Sequence, residues 1–285
     1  MRTTQWVLAG LGGCGLVAAL AHPLAAQDPL PNHLHDRFQA SGSLTWVSFN
    51  TTIRVDSEDG QGTDIDLEDR LGASDRVVEP RLALRWNPSP RHSLELGYLF
   101  ARRSSERSID ASFEYGGETF DAGLLVRTEF DSDLSTLTWR WALHSSDDSR
   151  IGATLALGAI FFRMGLDGYL SANEETAAVS AGHDLTAPLG AIGAFGHWRL
   201  GDAWYLETDL RAIYVSVGRY EAYVLDAMAM ARWFPLRHLG VEGGLALNAV
   251  RVVMNQDPGS GLGQDFAGRI RYQLLQPRLG VVYTF

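Results

Sequence analysis

Charged side chains alternate with apolar ones along several segments of this chain, and their spacing determines where they can act. In the segment 204–214, Glu207, Asp209 and Arg211 occupy every second position among apolar neighbours. Successive side chains of a β-strand point to opposite faces, so a strand here would hold these three charges on one face. The same alternation elsewhere predicts a larger set of charges that share an interior face: Glu79, Arg81, Arg85, Glu95, Arg103, Glu207, Asp209, Arg211, Asp226, Arg232, Glu242 and Arg278.

Mixed signs in one interior allow three kinds of chemistry. Acids and bases that face each other across a narrow interior most simply form a hydrogen-bonded ion-pair network that fills it. The same side chains also suit the wall of a narrow, water-filled channel. A carboxylate with a perturbed pKa among them would be a candidate for catalysis. The network is the favoured interpretation, and it requires no cofactor.

A second group of charges forms a dense acidic cluster at 56–69, which includes Asp64, Asp66 and Glu68. Carboxylate oxygens are hard ligands that suit Ca²⁺, so these three residues are candidates for a calcium site. Their spacing differs from that of an EF-hand loop, and a solvated acidic surface is the simpler interpretation.

The elements that would position these charges are β-strands. Ten segments show a two-residue periodicity, in which one face is apolar and the other polar. An even number of strands is the rule for single-chain bacterial barrels, although eight or twelve strands remain alternatives. The predicted strands are approximately 44–55, 78–86, 94–103, 124–143, 151–164, 188–200, 204–214, 223–233, 239–251 and 266–285.

Two of these strands require a further assumption. In the first strand the odd-numbered residues of 47–55 are largely apolar, and we assign them to the lipid-facing side. In the fourth strand the apolar face changes from even to odd numbers, which predicts a β-bulge near 131–133.

Long and short connections alternate along the chain, as expected for a barrel with short turns at one end and loops at the other. The long connections are 56–75, 104–120, 166–187 and 255–265, and the segment near Gly218 is a short exception. This pattern predicts that both chain ends lie on the side of the short turns, in the periplasm.

The tryptophans support the same orientation. Amphipathic indole rings prefer the level of the lipid headgroups, and the tryptophans after residue 26 fall near strand ends on the side of the short turns. They are therefore predicted to form one membrane belt. A water-soluble barrel would instead bury its tryptophans in the core. The belt consists of Trp46, Trp86, Trp139, Trp141, Trp198, Trp204 and Trp233.

Residues 1–26 have the pattern of a secretory signal, with Arg2 near the start and an apolar stretch at 6–20. An alternative is lipoprotein processing at Cys14, which would leave part of the apolar stretch on the mature protein. Ordinary cleavage removes Cys14, which is the single cysteine of the chain. Thiol chemistry and disulfides are then excluded.

Composition excludes other classes of protein. The formal net charge is −10, which argues against nucleic acid as a partner because nucleic-acid binding requires a basic surface. The sequence contains no run of about 18 apolar residues that could form a membrane-spanning helix after the signal. A membrane protein of this composition would therefore cross the bilayer with strands, whose polar halves lower the mean hydropathy to −0.07.

The segment 279–285 alternates in side-chain size and ends on aromatic Tyr283 and Phe285. It resembles the terminal signature of bacterial outer-membrane barrels, and this resemblance implies recognition by the barrel-assembly machinery. The motif Gly62-Thr63-Asp64-Ile65-Asp66-Leu67-Glu68, with Arg91-His92-Ser93-Leu94, is similar to an uncharacterised group of proteobacterial outer-membrane proteins. That group implies no activity for this chain.

The predicted strand number is also that of the omptin proteases. A resemblance to this family would imply a site in which paired acids face an Asp/His pair and activate a water molecule. Asp64, Asp66, His183 and Asp184 supply the residue types, but their placement departs from the omptin pattern. Lipid-modifying barrel enzymes use Ser and His near the outer leaflet, and no such pair is evident here.

These observations predict three parts: a signal at 1–26, an N-terminal periplasmic segment at 27–43 and an outer-membrane barrel at 44–285. The fold class is an all-β, antiparallel up-and-down transmembrane barrel of a Gram-negative bacterium. The expected role is structural or that of a narrow, porin-like channel, and the expected partners are outer-membrane lipid and lipopolysaccharide. An outer-membrane protease or lipid-modifying enzyme is the alternative.

Overall fold

The computed structural model describes residues 30–56, 62–115, 117–170, 177–217, 220–254 and 268–285. The predicted signal at 1–26, with Cys14, lies outside these residues. A short 3-10 helix, His33–His35, precedes the strands. The strands are β1 (Phe38–Val55), β2 (Ile65–Asp66), β3 (Arg76–Ser89), β4 (His92–Leu99), β5 (Arg102–Ser108), β6 (Phe113–Tyr115), β7 (Glu118–Phe120), β8 (Leu125–Ser145), β9 (Ser149–Tyr169), β10 (Val179–Arg199), β11 (Trp204–Val217), β12 (Tyr220–Trp233), β13 (Leu239–Met254) and β14 (Gly268–Thr284).

One closed antiparallel barrel has ten staves, which are the ten strand positions around its wall. This arrangement confirms the predicted fold class and strand number. Strands β4 and β5 both pair with β8 and together form one stave. Strand β14 pairs with β1 and closes the sheet, and the Phe285 and Phe38 backbones exchange hydrogen bonds of 3.1 and 3.3 Å at the end of this seam. Closure leaves the wall without a free edge.

Most strands extend further than their sequence pattern predicted. Strand β1 begins at Phe38, so residues 38–43 belong to the first strand and not to the N-terminal segment to which they were assigned. Strand β10 begins at Val179, within the predicted long connection 166–187. On β10 the sequence pattern ended early because the outward residues Ser180, Asp184 and Thr186 are polar.

The outer surface carries an apolar band about ten residues tall. On β14 the outward side chains are apolar from Phe285 to Leu275, and on β11 they run from Trp204 to Tyr214. With about 3.4 Å per residue and a tilt near 40°, such a span corresponds to the ~25 Å apolar band of outer-membrane barrels. Above the band the outward residues become polar.

Above the band, the apolar face of these strands points inward and the polar face points outward. This arrangement corrects the prediction for the first strand. Val47, Phe49, Ile53 and Val55 of β1 point into the barrel and are at most 6% exposed. Their outward neighbours above the band are polar, whereas lower on β1 the outward residues are apolar and the inward ones polar. The upper barrel therefore has an apolar core, as in a water-soluble protein.

Strand β8 also differs from its prediction. Its pairing with β9 is continuous from Leu125 to Ala142, and the register shifts between Ala142 and His144. No bulge occurs at 131–133, because the even-numbered residues point inward along the strand. The apparent change of face reflects the reversal of polarity and not a change in backbone geometry.

The lumen contains three layers of side chains. At the turn end, His33 and Leu34 pack against Tyr205 and Phe234. Charged residues form the middle layer, and an apolar cluster that includes Phe130 forms the layer nearest the loops. Among the described residues, no helix is long and apolar enough to cross a membrane.

Candidate functional site

Glu207 on β11 is the centre of the charged middle layer. Arg85 on β3 donates to both of its carboxylate oxygens, at 2.6 and 2.9 Å, and Arg232 on β12 donates to Oε1 at 2.6 Å. The side chains of all three residues are at most 9% exposed. Strand β3 lies across the lumen from β11, so the charge-assisted bonds of Arg85 join opposite sides of the wall, whereas Arg232 lies on the strand next to Glu207.

Further ion pairs extend the network around the lumen. Arg85 also donates to Glu95 at 2.7 Å, and Arg140 bridges Glu95 at 3.2 Å and Asp209 at 2.8 Å. Arg232 donates to Glu242 at 2.9 Å. Each of these guanidinium groups has two carboxylate partners, so the charges are neutralised where they are desolvated.

A neighbouring cluster lies closer to the apolar layer. Arg211 donates to Asp226 at 3.2 Å and to the Thr138 hydroxyl at 3.0 Å, and Asn248 donates to the same Asp226 oxygen at 2.9 Å. Arg81 lies 3.5 Å from Glu95, at the edge of the ion-pair network.

Two arginines of the lumen have neutral oxygen partners. Arg278 donates to Gln276 Oε1 at 2.5 Å. Arg150 donates to the Leu34 carbonyl oxygen at 3.1 Å and lies 3.4 Å from Asn87 Oδ1. Arg150 thereby fastens the N-terminal segment to the barrel wall.

Two members of the predicted set take no part in the contacts described so far. Arg103 is within the apolar layer, where it donates to Glu68 at 2.5 Å and stacks over Phe49 at 3.9 Å. Glu79 accepts a hydrogen bond of 3.3 Å from the Arg102 backbone. The other ten predicted residues point into the middle layer, and seven of them belong to the network around Glu207, whereas Arg211 pairs with Asp226 and Arg278 bonds to Gln276.

The apolar layer closes the loop end of the lumen. Residues 65–71 of the first long connection fold into the barrel mouth, where Ile65, Leu67 and Leu71 are fully buried. The hairpin β6–β7 adds Tyr115, whose hydroxyl pKa is raised by burial. The Arg103–Glu68 pair holds this folded segment to the wall.

The predicted calcium ligands do not converge. Glu68 turns inward to Arg103, Asp66 Oδ1 accepts a bond of 2.8 Å from the Asp69 backbone, and Asp64 is exposed. Within the described ranges, no group of three or more His, Cys, Asp or Glu residues is arranged to hold a metal ion.

His183 and Asp184, the residues considered for an omptin-like site, point to opposite faces of the wall. The His183 ring lies edge-on to Tyr115 inside the barrel, at 5.4 Å between centroids. The Asp184 carboxylate lies outside, 3.4 Å from Arg163 Nε. The two groups are therefore separated by the sheet and do not form a pair.

The tryptophans point outward and concentrate near the turn end. Trp204 stacks on Trp233 at 5.9 Å, and Trp198 covers Gly196, where any Cβ would overlap the indole ring. Trp86 and Trp139 flank Leu94 on adjacent strands, and Trp141 follows on the same face. Trp46 differs from the other six because it lies eight residues up β1 from Phe38, near the upper limit of the apolar band.

Sequence reasoning missed several members of the network. Arg140 lies between the outward Trp139 and Trp141, so the alternation itself could have placed it inside. Gln39, which receives hydrogen bonds from Arg85 and Arg232, lies in the segment that was assigned to the periplasm. His197, within 3.9 Å of Glu207, follows two apolar or small residues and gave no clear signal.

No protein-family model and no curated protein matches the chain. Among solved structures, the outer membrane protease OmpT from Escherichia coli matches with a TM-score of 0.54 and 14% identity, over 88% of this chain and 97% of that chain. The toluene transporter TodX of Pseudomonas putida reaches a TM-score of 0.36 at 9% identity, over 90% and 92% of the two chains. OprG of Pseudomonas aeruginosa reaches 0.34 at 11% identity, over 88% and 96%. The OmpT match shows the fold, and at this identity it does not extend to activity.

Proposed function

We propose that the chain is a structural outer-membrane protein whose barrel is closed along its length. The observation that carries this proposal is the three-layer lumen, in which the N-terminal segment, the ion-pair network and the apolar layer follow one another. A water-filled channel requires solvated walls along its whole length. The buried, mutually paired arginines and carboxylates instead hold opposite sides of the wall together.

Placement in the outer membrane is supported by two independent features. The apolar band with its tryptophans has the height expected for the hydrocarbon region. The outward polar surface above the band fits a wall that continues into the extracellular space. Export by residues 1–26 and recognition of Tyr283 and Phe285 by the assembly machinery belong to this proposal.

A narrow channel is the second candidate, and small cavities in the lumen favour it. One of about 40 Å³ is lined by Arg81, Arg211, Arg278 and their neighbours, and one of about 60 Å³ lies beside the apolar layer. Each has room for only a few water molecules. Conduction would require the N-terminal segment and residues 65–71 to move aside.

Two measurements test the proposal. Membrane fractionation should place the protein in the outer membrane in a heat-modifiable form, and recovery in the soluble periplasm would contradict it. Liposomes that contain the folded protein should swell no faster in small sugars than protein-free liposomes. Swelling at the rate of a general porin would replace the closed barrel with the channel.

A further inference from the structure

Four arginines form a continuous patch on the outer surface where β13, β14 and β1 meet. Arg251 on β13 is directly opposite Arg271 on β14, and Arg269 on β14 is directly opposite Arg54 on β1. All four side chains point outward, since the intervening residues such as Ile270 are buried. The patch is thus two like-charged cross-strand pairs placed side by side.

Like charges directly opposite each other destabilise a sheet pair. Two other outward arginines of the upper barrel avoid this cost, because Arg163 has Asp131 and Asp184 within 4 Å and Arg127 pairs with Glu106 at 2.6 Å. Among the described residues, Arg251, Arg269 and Arg271 have no carboxylate within that distance.

Within the described ranges, the acidic groups near the patch leave Arg251, Arg269 and Arg271 without an ion pair. Asp56 pairs with Arg54 at 2.6 Å, and Glu221 on β12 is opposite Val253, which is two residues from Arg251. The patch is therefore a local excess of positive charge on a chain whose formal net charge is −10. Such an excess suits an anionic group, which would remove the repulsion within both pairs.

The height of the patch identifies where that anion would lie. Outward residues of β14 are apolar up to Leu275, and Arg271 follows after Gln273. On β13 the apolar run ends at Ala249, and Arg251 is the next outward residue. The guanidinium groups therefore begin immediately above the apolar band, at the level of lipid headgroups.

We propose that this patch binds the phosphate groups of a phosphorylated glycolipid of the outer leaflet. Planar guanidinium groups bind phosphate oxygens in a bidentate manner, and acyl chains of the same lipid would cover the apolar band below. The outward amide of Gln273 and hydroxyl of Thr52 offer neighbouring contacts for sugar hydroxyls. The inference rests on the proposed outer-membrane placement and gives a binding site for the lipid partner that the sequence predicts.

The test measures binding of bisphosphorylated lipid A to the full-length folded protein in detergent, by native mass spectrometry at low ionic strength. The variant R251Q/R271Q should bind roughly 30-fold more weakly, since each arginine near an anionic lipid surface contributes about a fivefold factor. The variant R251K/R271K keeps the charge but loses the bidentate geometry, and it should bind more tightly than R251Q/R271Q and more weakly than the wild-type protein. R163Q is the matched control, because it removes an outward arginine that already has carboxylate partners.

Equal binding by R251Q/R271Q and R163Q would overturn the proposal, as would equal binding of lipid A from which the phosphates have been removed. Displacement of the lipid by an equal concentration of inorganic phosphate would point to a small-anion site and also overturn it. Heat-modifiable migration of each variant establishes that it is folded. Because the assay uses purified barrel, a negative result would leave the outer-membrane placement standing, and fractionation tests that placement separately.

Discussion

Replacing Glu207 with glutamine tests whether the charged layer is a structural network. The substitution keeps the shape of the side chain and removes the charge that neutralises Arg85 and Arg232. The Glu207 side chain is 7% exposed, so solvent screens the remaining charges weakly. At an effective dielectric constant of about 20, one ion pair at about 4 Å contributes roughly 4 kcal/mol. The variant loses two such pairs, but it no longer has to bury a charged carboxylate, and this saving offsets part of the loss. We expect the free energy of unfolding to fall by about 3–5 kcal/mol, the range for breaking a buried pair.

Glu106→Gln is the matched control, because Glu106 makes an ion pair of the same 2.6 Å length with Arg127 on the exposed surface. That pair should contribute about 1 kcal/mol or less. Both variants are unfolded in guanidinium from detergent micelles, with tryptophan fluorescence as the readout. If Glu207→Gln lowers the free energy of unfolding no more than Glu106→Gln does, the lumen is a solvated wall and the network interpretation is wrong.

The connection at the barrel mouth, the C-terminal residue and the orientation of the barrel can each be tested by a substitution. Glu68→Gln should release residues 65–71 from Arg103 and increase their cleavage by added protease, and an unchanged cleavage pattern would contradict this. Phe285→Ser should reduce outer-membrane levels while export continues, because it keeps the backbone bonds to Phe38 and removes the aromatic group; unchanged levels would show that this group is not the signal. A cysteine introduced at Asp69 should react with an impermeant label on intact cells, and one at Asp147 should not; the reverse result would invert the topology.

The strands were predictable because the membrane imposes a strict pattern on them. Within the apolar band, alternation between lipid and lumen gives a two-residue period, and the ten segments with this period correspond to the ten staves. The pattern is strongest on β3 and β11, where the predicted faces agree with the observed burial.

The upper barrel was not predictable by the same reasoning, because alternation identifies an apolar face without saying which side of the wall it occupies. On β1 the apolar face is outward at Leu44 and Trp46 and inward at Val47 and Phe49. Only the level of the lipid surface determines where the change occurs. A two-residue period contains no information about the height of the lipid surface. The change of apolar face on β8 was therefore wrongly interpreted as a bulge.

For the candidate site, the inward direction of the charged residues was easier to predict than the identity of their ion-pair partners. Arg232 and Glu242 are neighbours on adjacent strands, so their pairing follows from register. The contact of Glu207 with Arg85 crosses the lumen, and it depends on the tilt and stagger of the closed barrel. Such a contact joins residues that are distant in the chain, and local periodicity carries no information about it.

Single-channel recording across a planar lipid bilayer measures whether the lumen of this barrel is closed. The folded wild-type protein is incorporated at high salt, and insertion is established by protection of the barrel from protease. We predict a current indistinguishable from that of the bare bilayer, because the N-terminal segment, the ion-pair network and the apolar layer close the lumen in turn. Reproducible ohmic steps from the wild-type protein would show that the lumen is an open channel.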